Sequence, residues 1–239
     1  MEMPVDKVLP RRLGAEPIVD AICEIRFDKS ALDIVGLLPG LLMDHLGTVD
    51  EVIRLPAGML PGGVEINELA DQPHVRVRAG SLFVSVGPRV LAVAMPNPYP
   101  GWTDFRSAAV AIFNLAKSKR LVDQVTRVSV RYTDLIAGGK FEQLNAALSL
   151  GGADAFGAVE IRADRVIDGV RVINSIASPA STQDGRSGVV VDTDTIMDQP
   201  VDFWSQSGDY LNKLHGISKE IFFSMIKDET LESLKPEYE

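Results

Sequence analysis

From residue 21 to residue 27, apolar side chains fall at every second position. Ala21, Cys23, Ile25 and Phe27 alternate with Ile22, Glu24 and Arg26. A period of two puts the two sets on opposite sides of a pleated strand, so this stretch reads as a strand with one apolar face. The period then lengthens. Leu32, Val35, Leu38, Leu42 and Leu46 share one stripe of a helix over 31–46. Ser30 is expected as its N-cap, Asp33 as the acid of a capping box, and Pro39-Gly40 as a kink. Residues 56–63 hold two prolines and three glycines and read as a loop. Strands follow at 75–79, 82–86 and 90–95, the last two joined by Gly87-Pro88-Arg89. Phe105, Ala109, Ile112, Phe113 and Ala116 then mark a helix over 102–119.

The same order restarts at Val125. Val128, Val130 and Tyr132 alternate with Arg127, Ser129 and Arg131, and a short helix is expected over 141–148. Strands are predicted at 158–163, 170–176 and 188–196, with a long polar connection over 178–188. Asp168-Gly169 forms a hairpin turn between the first two. Asp198 should open the longest helix, 201–226, whose stripe includes Trp204, Leu211, Leu214, Ile221, Phe222 and Met225. The chain therefore divides into an arm (1–17), a first half (18–120), a second half (121–227) and an acidic tail (228–239) expected to be solvated. The fold class is α+β: tandem strand–helix–strands–helix halves forming one largely antiparallel sheet, with the helices on one face. By analogy of topology alone this is similar to the saddle of the TATA-binding protein.

The chain has 239 residues, of which 46% are hydrophobic, so a packed core is expected rather than disorder. The longest apolar runs are far too short to cross a bilayer, and no secretory signal is read at the start. With Cys23 the only cysteine, no intrachain disulfide can form, and a zinc site built on several thiolates is excluded. A reducing cytoplasm is the expected compartment. The formal charge of −9 argues against binding duplex DNA through the overall field, though not against a local basic face.

Four stretches carry a resemblance. They are Pro17-Ile18-Val19-Asp20-Ala21-Ile22-Cys23-Glu24-Ile25-Arg26-Phe27, Val128-Ser129-Val130-Arg131-Tyr132-Thr133-Asp134-Leu135-Ile136, Leu214-His215 with Ile221-Phe222-Phe223, and Tyr99-Pro100-Gly101-Trp102. Together they resemble a TIGR-defined family of sporadically distributed bacterial proteins of similar length and no assigned activity. The resemblance covers nearly the whole chain and transfers no catalytic residue. Where that family often has asparagine in the middle stretch, this chain has Asp134. The patchy distribution it implies fits mobile or defence-associated genes.

Several constellations could carry chemistry. With the apolar strand residues turned toward the helices, the other sheet face gathers Arg26, Arg76, Arg78, Arg127, Arg131, Arg162 and Arg171, with Glu24 and Glu160 among them. Guanidinium forks fit phosphate or carboxylate oxygens, but arginines on half-solvated strands also pair with neighbouring acids. Asp192 and Asp194, with Asp198 beyond, resemble a weak site for a hard cation, without the glycine turn and distal glutamate of a calcium loop. Ala137-Gly138-Gly139-Lys140 lies where a phosphate loop would, but Phe141 replaces the required hydroxyl. Cys23 falls on the apolar side of its strand, and His45, His74 and His215 fall in different elements. Tyr99 and Trp102 form an aromatic loop that either staples a helix start or meets a partner.

The reading that follows is a non-enzymatic binding protein, with no cofactor, that recognises an anionic partner through the arginine face: nucleic acid, nucleotide or an acidic protein segment. The alternative is a small-ligand pocket between the sheet and the long C-terminal helix. A metal-dependent hydrolase using Asp192 and Asp194 ranks last. No membrane partner is expected, and an exposed edge strand leaves room for a homodimer.

Overall fold

The structure, a computed structural model of the chain, describes residues 8–28, 32–59, 67–153, 157–182 and 184–238. In chain order its elements are β1 (Arg12–Leu13), β2 (Ile18–Phe27), α1 (Ile34–Leu46), β3 (Glu51–Arg54), α2 (Asn67–Ala70), β4 (Val75–Ala79), β5 (Leu82–Gly87), β6 (Val90–Pro96), α3 (Trp102–Ser118), β7 (Val125–Ala137), β8 (Val159–Ile167), β9 (Val170–Ser181), β10 (Ser187–Asp198), α4 (Phe203–Met225), α5 (Asp228–Ser233) and β11 (Pro236–Glu237). Nine strands form one antiparallel sheet in the order β3-β4-β5-β6-β2-β7-β10-β9-β8. From the central β2–β7 pair the order runs outward through β6, β5 and β4 on one side and through β10, β9 and β8 on the other.

The period-two pattern explains which face is covered. Ala21, Cys23, Ile25, Val77, Val84, Val93, Val130 and Val172 are all buried, and they pack against Leu38 and Leu42 of α1, Phe105 and Phe113 of α3, and Leu211 and Leu214 of α4. Burying an aliphatic side chain of this size stabilises by about 1.5–3 kcal/mol, which fixes the register of each strand. Among the described residues no helix plays the part of α1 in the second half. The helix expected over 141–148 is only a single 3₁₀ turn at Phe141–Gln143.

A second core fills that place. Leu13 from the N-terminal arm and Leu231 and Leu234 from the C-terminal segment pack with Ile136, Val189, Val191, Phe222 and Phe223. Residues 228–239, expected as a solvated tail, therefore include a docked helix and strand. Leu231 and Leu234 are the reason, since leaving them in water would forfeit their burial. β11 pairs with β1, so the arm is tied down as well.

Other boundaries also shift. Ser30 lies outside the described residues. Asp33 is itself the N-cap of α1, its carboxylate accepting from the Gly36 amide at 3.1 Å, and α1 runs unbroken through Pro39. Asp198 ends β10 instead of opening α4, and β9 and β10 extend to within six residues of each other, shortening the connection expected over 178–188. Asp168 and Gly169 have φ of 49° and 77°, the left-handed pair a two-residue hairpin needs.

Candidate functional site

The seven arginines lie on the helix-free side of the sheet, and the structure gives most of them an acid. Arg26 Nε donates to Glu24 at 2.9 Å. Arg78 lies 3.8 Å from Asp50 and Arg127 3.8 Å from Asp194. Arg131 Nε is 3.0 and 2.9 Å from the two oxygens of Asp192, which also accepts from the Thr133 hydroxyl at 2.7 Å. Arg171 pairs with Asp164. Arg76 donates to the Ser85 hydroxyl at 3.0 Å and lies over the Phe83 ring. Arg162 lines a hollow of about 380 Å³ with Glu160, Ser175 and Asp192.

Asp194 shows what this packing does. Burial first, with Glu24 and Asp192 adding repulsion, lifts its carboxyl to about 6 even against Arg127 and Arg131. Asp192 and Asp194 are thus occupied by arginine. Among the described residues no group of three or more His, Cys, Asp or Glu is placed to hold a metal ion. Cys23 is buried in the core, where burial pushes its thiol up. The Gly138–Gly139 segment is a tight turn, with the Gly139 amide donating to Ile136.

A larger concavity, about 510 Å³, opens on the helix side of the sheet where β7 meets α4. Five segments build it. The arm supplies Arg11, Arg12, Leu13 and Glu16, held by the ribbon to β11 and by Gly14 and Ala15 amides donating to Lys235 and Leu234. The loop after β6, running into the first residue of α3, supplies Asn97, Tyr99 and Trp102, anchored by the Asn97 side chain donating to Ile18 at 3.2 Å. The start of β2 supplies Ile18, β7 supplies Tyr132 and Asp134, and α4 supplies His215, Ser218, Lys219, Phe222 and Phe223.

The aromatic loop is both staple and wall. Trp102 stacks on His215 with ring centres 4.2 Å apart and planes 9° from parallel, and its indole N–H donates to Asn212 at 3.0 Å. Its counterpart in the second half, Trp204, donates instead to the Asp123 carbonyl at 2.6 Å. Tyr132 Oη lies 2.9 Å from His215 Nδ1 and 3.3 Å from Tyr99 Oη, so three polar side chains from three elements form one hydrogen-bonded chain.

The electrostatics of this concavity are unusual for its size. Asp134 is only 4% exposed, and among the described residues no donor reaches its carboxyl. Burial, then repulsion from Glu16 and Asp192, holds it well above the ordinary carboxylate range. Burial also raises Glu16, partly offset by the Ile18 amide and by Arg12. Burial lowers His215 to about 4, helped by Lys219, so the imidazole is neutral at pH 7. Burial raises both tyrosine hydroxyls and lowers the Lys219 ammonium. Such a site can orient a small molecule through one acid, a neutral imidazole and two hydroxyls between apolar walls.

No protein-family model and no curated protein matches this chain. No helix among the described residues is long and apolar enough to cross a membrane.

The open-face arginines are where the alternation put them, but they do not converge on a cleft. The concavity brings together His215, Tyr99 and Trp102, which the sequence singled out separately, with Glu16, Tyr132, Asp134 and Lys219, which it did not single out as site residues. One signal was available. Val128, Val130, Tyr132 and Asp134 share a strand parity that otherwise faces the core, so an acid at the last position breaks the pattern.

Proposed function

We propose that this chain is a small-molecule-binding protein whose ligand occupies the pocket between β7, α4 and the N-terminal arm. The observation that carries the reading is the convergence of buried and half-buried polar groups from the arm, the loop after β6, β7 and α4 on one 510 Å³ concavity. Pockets of a few hundred cubic ångströms with mostly apolar walls and a few aimed polar groups are the usual form of ligand sites. The stretches behind the bacterial-family resemblance support it from another side. Pro17 and Ile18, Tyr99 to Trp102, Tyr132 and Asp134, His215, and Phe222 and Phe223 all contribute to this wall.

Recognition of an anionic partner by the open sheet face is supported less well. Its arginines are already answered by Glu24, Asp50, Asp164, Asp192 and Asp194, which a nucleic acid backbone would have to displace.

The test uses the full chain with Trp204→Phe, which leaves Trp102 as the only indole. A metabolite library is screened by fluorescence and by thermal shift. A binder should change Trp102 emission and raise the unfolding midpoint, and the rise in midpoint should be lost when Lys219→Trp fills the pocket. A ligand at one hundred times its Kd stabilises by about 2.7 kcal/mol. Heparin or oligonucleotide binding that is lost on Arg78→Glu with Arg131→Glu, alongside no small-molecule binder, would return the function to the sheet face.

A further inference from the structure

We propose that the pocket receives an organic cation, a primary amine or guanidine, with its charged nitrogen against Asp134 and Glu16. This rests on the pocket being the ligand site and goes on to name what that site recognises.

The inference starts from a group left without a counterpart. A carboxyl 4% exposed in a folded chain normally accepts hydrogen bonds from amides or from arginine, as Asp192 does on the opposite face. Asp134 has no such donor among the described residues, yet it lines an open volume. Its strongest charged neighbour is a second acid, Glu16, which keeps one oxygen on the Ile18 amide at 3.3 Å. Two carboxyls lining one space repel each other, and burial makes both costlier to ionise, with Arg12 offsetting this only in part at Glu16. An ammonium or guanidinium between them removes the repulsion and supplies the missing donors in one step, through charge-assisted hydrogen bonds.

The walls suit the same class of ligand. Tyr99, Trp102 and Tyr132 present ring surfaces, and aromatic faces attract organic cations more strongly once water is excluded. The neutral His215 adds no positive charge beside the nitrogen. An anion would meet two acids in the same lining. The pocket's own cations do not fill the role. Arg11 and Arg12 are exposed, Arg12 acts on Glu16 and not on Asp134, and Lys219 acts on His215 and not on Asp134. A neutral hydrogen-bonding ligand would use Asp134 differently, as a protonated donor, and asparagine could then replace it.

Isothermal titration of the full chain at pH 7.5 separates these cases, with agmatine, phenethylamine, 2-phenylethanol and phenylacetate as probes. The expected result is that at least one amine binds tenfold or more tightly than 2-phenylethanol, and that phenylacetate does not bind. Asp134→Asn should weaken the amine at least tenfold without lowering the unfolding midpoint, and Lys219→Trp should abolish binding. Equal affinity for amine and alcohol, unchanged amine affinity in Asp134→Asn, preference for phenylacetate, or no amine binding at millimolar concentration would each overturn the cation assignment. In those cases the pocket itself still stands if the binder found by the library screen is blocked by Lys219→Trp. Amine binding that survives Lys219→Trp would overturn the pocket reading along with it.

Discussion

The open sheet face and the pocket hold their charged groups under opposite conditions. On the open face, strands place Arg and Asp or Glu at neighbouring positions, and the pairs form between adjacent strands or two residues apart on one strand. Water reaches many of them, so each pair is worth little, and at the more buried Arg127–Asp194 pair the Arg127 Nε and Asp194 Oδ1 find no hydrogen bond among the described residues. In the pocket, Asp134 and Tyr132 are buried and Glu16 and His215 half-buried by parts of the chain that are remote in sequence, and among the described residues no donor reaches Asp134. A sheet face solves its electrostatics locally. A pocket assembled from five segments leaves part of the balance to whatever enters it.

This contrast can be broken most sharply at His215. Its pKa falls to about 4 in the folded protein against an ordinary 6.5. The unfolded chain therefore takes up a proton between those values that the folded chain refuses. The contribution is fully present above pH 6.5 and is lost as pH falls through about 4, roughly 3 kcal/mol over the window. In His215→Gln this dependence should vanish from urea unfolding measured at pH 4, 5.5 and 7. The same pH profile in both proteins would mean that the imidazole is as hydrated as in the unfolded chain, and the pocket not enclosed.

The open face is next. Arg131→Ala takes the guanidinium from Asp192, whose side chain is 10% exposed and keeps the Thr133 hydroxyl, and should cost about 1–2 kcal/mol. Asp192→Ala leaves behind an arginine that is half in water already, so it should cost under about 1 kcal/mol. Chemical denaturation of both variants reads the asymmetry, and equal costs would show that the pair is screened as a unit.

Asp134→Asn tests the pocket from the other direction. The folded state holds a proton on Asp134 above the pH where the unfolded chain releases it, so this carboxyl erodes stability as pH rises. The variant should unfold later at pH 8 by about 1 kcal/mol, or some 2–4 °C, with a smaller gain at pH 5. A midpoint that drops in thermal scans would reveal a donor to Asp134. Smallest of all, Arg78→Ala should change stability by less than about 0.5 kcal/mol, because Arg78 and Asp50 lie 3.8 Å apart and are both more than 40% exposed. A larger loss would give the open face an energetic importance that its exposure denies.

Most of the sheet was legible in the sequence because half-buried strands announce themselves by parity. Ala21, Cys23 and Ile25, and Val128, Val130 and Tyr132, point inward as their alternation requires, and the arginines between them point outward. β3 escaped notice because Glu51, Val52, Ile53 and Arg54 form an exposed edge with no apolar face to mark it. The acidic C-terminal segment was misread because Asp228, Glu229 and Glu232 outweigh Leu231 and Leu234 in composition but not in burial. The pocket was legible only in fragments. Tyr99, Trp102 and His215 were visible as isolated aromatics and a histidine, but nothing local says that Glu16 from the arm comes to face Asp134 on β7.

The short ribbon that joins Arg12–Leu13 to Pro236–Glu237 has a consequence for biosynthesis. All nine strands of the main sheet have left the ribosome before Pro236 does, so the core can condense while Leu13 still lacks its cover. The rim of the concavity is then the last part to mature. A premature stop just after Ile226 would spare the nine-stranded sheet but remove the strand that ties Arg12 and Leu13 down, leaving that rim unanchored.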